Sequence, residues 1–126
     1  MSQTNYKILV VDDNSENVFL HQAILEEEGY NVITAAGGVA ALEMVEREAP
    51  DLILLDIMMP YVDGFDVLKK IINNEKTTRI PVIMISSLYN EHFAEAKRIG
   101  AVDYIEKPVD IQMLISKVSK AIKNKN

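Results

Sequence analysis

Five short apolar runs, several rich in β-branched residues, recur along the chain, and longer stretches with helical spacing separate them. The runs are KILVV (7–11), NVITA (31–35), DLILLD (51–56), PVIMIS (81–86) and VDYIE (102–106). Strands that alternate with helices pair in parallel, joined by crossover helices that cover both faces of the sheet. The central runs lack inside–outside alternation, as burial on both faces requires. The expected architecture is therefore an α/β fold with a five-stranded, doubly wound parallel sheet.

The intervening stretches carry their own punctuation. A first helix is expected to start near Asn14 or Ser15, both good N-caps, and to stop before Gly29, with Leu20, Ala23 and Ile24 as its inner stripe. A second covers about 39–49, with Leu42 and Val45 facing inward. The third follows the turn pair Asp63-Gly64 and carries Val67, Leu68, Ile71 and Ile72. A fourth covers about 90–99 and ends at Gly100. The last begins at Asp110 and lines up Ile111, Leu114, Ile115, Val118 and Ile122 on one face. The Lys-rich tail KVSKAIKNKN suits a helix C-terminus and its solvated face, or the start of a linker.

Length and charge narrow the function classes. A chain of 126 residues reads as one domain, 1–126, large enough for its own core. Lys and Arg number 13 against 19 Asp and Glu, a net charge of -6, which argues against direct nucleic-acid binding. Cysteine is absent, so neither a disulfide nor a thiolate metal site is available. MSQTNYK has no apolar signal core and no run reaches membrane-spanning length, so a cytoplasmic location is expected.

Ligands of open α/β sheets bind beyond the carboxyl ends of the strands, and four of the five strands end in chemistry. The first ends in Asp12 and Asp13, the third in Asp56, the fourth in Ser86 and Ser87, the fifth in Lys107 and Pro108. Asp56 poses the sharpest question, because it closes an otherwise apolar strand and a buried lone carboxylate is costly. Taken singly, these residues have bland readings: caps, turn formers, a solvated lysine. Jointly they suggest three carboxylates, a hydroxyl and an ammonium at one sheet edge. Three aspartates and one lysine leave a surplus of negative charge. Hard oxygen ligands without His or Cys suit Mg²⁺, or Mn²⁺ in its place, and magnesium sites of this kind take phosphate oxygens too. Asp56 is then a candidate nucleophile, with Lys107 and Ser86 neutralising and hydrogen-bonding the transferred oxygens.

These residues, as LVVDD (9–13), LILLDIMMPYVDG (52–64), PVIMIS (81–86) and GAVDYIEKP (100–108), resemble the receiver domain of two-component response regulators over essentially the whole chain. The resemblance implies the flavodoxin-like fold with strand order 2-1-3-4-5, an order that general fold rules already illustrate with a chemotaxis regulator. It implies that Asp56 accepts a phosphoryl group from a sensor histidine kinase or a histidine phosphotransfer protein. Asp13 would ligate Mg²⁺ directly, Asp12 mainly through water, and Met58 through its backbone carbonyl. Lys107 would pair with the phosphoryl group or Asp56, across a cis Lys107-Pro108 peptide. Ser86 would move to the phosphoryl group and Tyr104 would turn inward, shifting the surface of the fourth helix, fifth strand and fifth helix. That surface would control a downstream protein or a missing output domain, with a phosphorylation-dependent homodimer as one further partner.

Some positions depart from many relatives of that family. Met58 and Leu88, each two residues after a site residue, are apolar where polar residues are common. They either retard hydrolysis of the acyl phosphate or merely pack against the neighbouring loop. The fifth helix lacks the arginine of receivers that dimerise ahead of winged-helix domains. His21 and His92 fall on helices, read as solvated, and receive no catalytic role. Two other classes remain in view. An aspartyl-phosphate phosphatase would need a second Asp where Met58 stands, and a flavin mononucleotide carrier would need a less acidic loop than DDNSEN (12–17).

Overall fold

A computed structural model describes residues 6–59 and 62–124; the first five residues, Pro60, Tyr61 and the last two lie outside that range, and with them parts of the quoted N-terminus, tail and DIMMP motif. The main strands are β1 (Lys7–Val11), β2 (Asn31–Ala35), β3 (Leu52–Asp56), β6 (Val82–Ser86) and β7 (Asp103–Glu106). All pair in parallel in the order β2-β1-β3-β6-β7, which is 2-1-3-4-5 when only sheet strands are counted. A short antiparallel ribbon, β4 (Met58–Met59) with β5 (Val62–Asp63), follows β3 directly and has no counterpart in the sequence reading. Two residues per strand carry too little pattern to announce themselves.

Helices α1 (Ser15–Glu27), α2 (Gly38–Glu48), α3 (Gly64–Ile72), α4 (Tyr89–Ile99) and α5 (Ile111–Lys123) cover the sheet. Strand side chains alternate between two cores. Leu9, Val11, Ile53, Leu55, Val82 and Met84 meet α2, α3 and α4 through Ala41, Val45, Val67, Leu68, Ile71 and Ala96. On the other face Ile8, Val10, Leu52, Leu54, Ile83 and Ile85 meet Leu25 of α1 and Leu114, Val118 and Ile122 of α5. In β3 all five residues are buried. Each of its four apolar side chains contributes about 1.5–3 kcal/mol, a stiff support for the one carboxylate at its end.

Local chemistry sets the helix limits. Asn14 caps α1 by accepting the Asn17 N–H at 3.0 Å, Asp63 caps α3 through the Phe65 N–H at 2.8 Å, and Asp110 caps α5 through the Met113 N–H at 2.9 Å. At the far end of α2, Ala49 adopts a left-handed φ of 46° and stops the helix. Gly100, at φ 138°, does the same for α4. Lys117 of α5 donates to the Tyr104 carbonyl at 2.6 Å and meets Asp103 at 3.0 Å, fastening α5 to β7.

Two expected helix faces need correction. In α1 the buried residues are His21 and Leu25, and of the expected stripe Ile24 does pack partly buried against the core; Leu20 is 49% exposed and Ala23 is exposed too. The true face is rotated by one residue, about 100° of helix, because the imidazole of His21 occupies a core position that composition assigns to a leucine. Ile111, the first residue of α5, is also exposed.

A carboxylate cluster at the carboxyl edge of the sheet

Strand register assembles the site stepwise. Val11 pairs with Leu55, so Asp12 and Asp56 each stand one residue past a paired position on adjacent strands. Asp56 pairs with Ile85, so Ser86 is one step further along β6. Ser86 pairs with Glu106, which places Lys107 one step beyond on β7, its N–H donating to the Ser86 carbonyl at 2.9 Å. The crossover connections thus bring to one edge residues that lie far apart in the chain.

Asp12, Asp13 and Asp56 each offer a carboxylate oxygen within 4.8 Å of the others. Asp12 and Asp56 are 4% and 2% exposed, while Asp13 is open to solvent. The Lys107 ammonium lies 3.4 Å from Asp56 Oδ1 and 4.0 Å from Asp12 Oδ2. Asp12 also accepts the Asn14 N–H at 3.0 Å and the Asn17 side-chain amide at 3.3 Å. Asp56 Oδ1 accepts the Met58 N–H at 3.3 Å. The Lys107-Pro108 peptide is cis.

One ammonium does not balance this edge. Burial and then the neighbouring Asp12 charge push the Asp56 carboxyl up to about 6, against the opposing pull of Lys107 and the Met58 N–H. Such a carboxylate is short of positive charge. The donor set, carboxylate oxygens without sulfur or imidazole, is the chemistry of a hard divalent cation, and the three aspartates fit one.

The remaining candidates stand differently. Ser86 is buried, and its hydroxyl engages Nδ1 of His92 at 2.9 Å and the Leu88 N–H at 3.0 Å. Tyr104 is already inside, 2% exposed and edge-on to Phe93 with centroids 5.8 Å apart, so no inward turn is left for it to make from this state. Met58 is 55% and Leu88 39% exposed.

Neither histidine is a freely solvated side chain. His92 is half-buried, bonded to Ser86 and edge-on to Phe65 at 5.2 Å. His21 is 3% exposed, and its Nδ1 has no hydrogen-bond partner among the described residues. Burial lowers the pKa of His21, against the opposing effect of Asp12. The only signal for His92 is its spacing of six residues after a strand-end serine, which becomes a contact once α4 starts at Tyr89.

The family model described as response regulator receiver domain matches residues 8–119. Response regulator PleD of Caulobacter vibrioides is 44% identical over 89% of this chain, which spans 25% of that protein's length. Protein PilH of Pseudomonas aeruginosa is 33% identical over 92% of this chain and 97% of its own. Among solved structures, the receiver domain of the Francisella response regulator 1452 superposes with a TM-score of 0.89 at 33% identity, covering 97% of this chain and 100% of that one. Strand-end carboxylates, fold and relatives agree: the chain belongs to the response regulator receiver domains, the receiving modules of two-component phosphorelays.

Proposed function

We propose that residues 1–126 act as a single receiver whose Asp56 accepts a phosphoryl group from a phosphohistidine of a sensor kinase or phosphotransfer protein. The observation that carries this reading is the placement of Asp56: buried at the end of β3, within 4.8 Å of Asp12 and Asp13, and 3.4 Å from the Lys107 ammonium. An Asp56 oxygen attacks phosphorus, the P–O bond forms as the P–N bond breaks, and the imidazole leaves. In the separate hydrolytic step, water attacks phosphorus, the P–O bond to Asp56 breaks, and inorganic phosphate departs with the water's protons as Asp56 is restored.

Asp12, Asp13, Asp56 and the Met58 carbonyl would hold Mg²⁺, or Mn²⁺ in its place. Bound there, the ion supplies positive charge to the oxygens of the transferred group. Lys107 neutralises a further oxygen. The Met58 N–H orients Asp56 Oδ1, and the Asn17 amide holds Asp12 in place. The Ser86 hydroxyl donates to a phosphoryl oxygen in the modified state. Chemistry is confined to the protein's own Asp56; the output is a changed surface at α4, β7 and α5 that a target protein or an attached domain reads.

Incubation of the whole chain with Mg²⁺ and acetyl phosphate tests this. Intact-mass analysis is expected to show one added phosphoryl group in the wild type and none in Asp56→Asn or in the presence of chelator. A phosphoryl group found on Asp56→Asn would refute the assignment.

A further inference from the structure

The Ser86 hydroxyl is held from two sides. Its oxygen accepts the Leu88 N–H at 3.0 Å and lies 2.9 Å from Nδ1 of His92 in the first turn of α4. The Leu88 carbonyl accepts the His92 N–H at 2.9 Å, so Ser86, Leu88 and His92 close a ring of three hydrogen bonds. Ser86 is 1% exposed, which keeps bulk water from competing for its hydroxyl. Phe65 of α3 meets the imidazole edge-on at 5.2 Å with planes at 84°.

A serine hydroxyl has one proton and two lone pairs. With the Leu88 N–H on one lone pair, the hydroxyl is free to donate to Nδ1, an arrangement that goes with the ring proton on Nε2. The oxygens of a phosphoryl group on Asp56 are strong acceptors. The single proton that Ser86 can offer them is the one that this arrangement gives to His92.

On the footing of the function proposed above, we propose that His92 is a positioning residue acting through Ser86: it withholds the hydroxyl proton from the Asp56 site until a phosphoryl group outcompetes it. The exchange is downhill, because a hydrogen bond to a charged oxygen is roughly twice as strong as one between neutral groups. It is also delayed, because the neutral bond must first break. Releasing Ser86 frees His92 as well, and so cuts the side-chain tie between the end of β6 and the first turn of α4. Phe93, the next residue, still packs edge-on against Tyr104 of β7. Phosphorylation would therefore loosen the start of α4 while its middle stays seated.

Imidazole ¹⁵N NMR of the whole unphosphorylated chain is expected to report His92 as the Nε2–H tautomer, with Nδ1 accepting a hydrogen bond that Ser86→Ala abolishes. Phosphorylation with Mg²⁺ and acetyl phosphate should move the wild-type Nδ1 signal toward that of Ser86→Ala. By initial rate of mass gain, His92→Ala should be phosphorylated about 3- to 10-fold faster than wild type, the worth of one net hydrogen bond. His92→Asn, which carries an amide oxygen near the place of Nδ1, should return toward the wild-type rate. In a Ser86→Ala background, His92→Ala should change nothing further.

An Nδ1–H tautomer, a ring signal indifferent to phosphorylation, or a rate effect of His92→Ala that persists without Ser86 would each overturn the proposal. Normal mass gain on Asp56 with an unchanged His92→Ala rate sinks this inference alone. Absence of mass gain in the wild type sinks the parent reading instead.

Discussion

Gly64 rests directly on the backbone of Ile57. A Cβ built at position 64 would stand 2.6 Å from Ile57 Cα and 2.8 Å from the Asp56 carbonyl oxygen, while the Gly64 N–H donates to the Ile57 carbonyl at 2.9 Å. Both obstacles are main chain, which cannot rotate aside as a side-chain tip can. The start of α3 and the end of β3 therefore share one fixed spacing, and that spacing places the Asp56 carboxylate.

Gly64→Ala is expected to lower stability by about 1–3 kcal/mol, the usual cost of overpacking. It should also slow phosphorylation by acetyl phosphate, because the Asp56–Ile57 segment must shift to make room. Chemical denaturation and initial rates of mass gain check the two parts. Wild-type values for both would show that the segment gives way freely.

Asp56→Asn is expected to stabilise the protein in chelator. An unfolded Asp titrates near 3.9, whereas Asp56 in the folded chain is pushed up to about 6. Between those values the folded state holds a proton that the unfolded state has lost, so wild-type stability falls as pH rises through that window. The gap between Asp56→Asn and wild type should open from about pH 4 to about 6 and reach about 1–3 kcal/mol at neutral pH. Added Mg²⁺ should narrow it by stabilising the wild type. Paired denaturation curves across pH decide the matter, and a gap that closes with rising pH has the wrong sign.

His21 should act in the opposite direction. Its folded pKa lies below the ordinary imidazole value, so on acidification through about 6.5 the unfolded chain gains a proton first and stability is lost. His21→Leu removes that loss together with a buried nitrogen that has no hydrogen-bond partner among the described residues. At neutral pH the variant should stay within about 1 kcal/mol of wild type. Its relative stability should then grow as pH falls. Thermal melts in a buffer series give the comparison.

Met58 and Leu88 present exposed apolar side chains beside the site. The double variant Met58→Asn, Leu88→Glu supplies polar groups able to hold the attacking water. Loss of phosphoryl from Asp56 is expected to accelerate by about 3- to 10-fold, the value of one well-placed hydrogen bond. Following the decay of the phosphorylated mass after removal of donor measures it directly. An unchanged decay would mean that water reaches Asp56 by another path.

Much of this molecule is legible in one dimension because a parallel sheet converts strand boundaries into a site. Once KILVV, DLILLD, PVIMIS and VDYIE are read as parallel strands, the residues that end them must share an edge, and Asp12, Asp13, Asp56, Ser86 and Lys107 follow. Caps such as Asn14 and Asp110 are legible for a related reason: their partners lie three residues away.

Helix faces are another matter. A one-residue rotation turns a helix by about 100°, and α1 offers Leu20 and His21 side by side with nothing local to choose between them. The packing of α1 and α5 against the sheet buried the histidine and exposed the leucine. By the same reasoning His92 is an ordinary helical residue until α4 folds back over β6 and sets its imidazole against Ser86. Composition and period determined the sheet, its order of helices and strands, and the charge gathered at its edge, because those depend on boundaries along the chain. Tertiary structure alone decided which helix side chains reach that edge, because contact between separate elements depends on rotation and register, which only close packing sets.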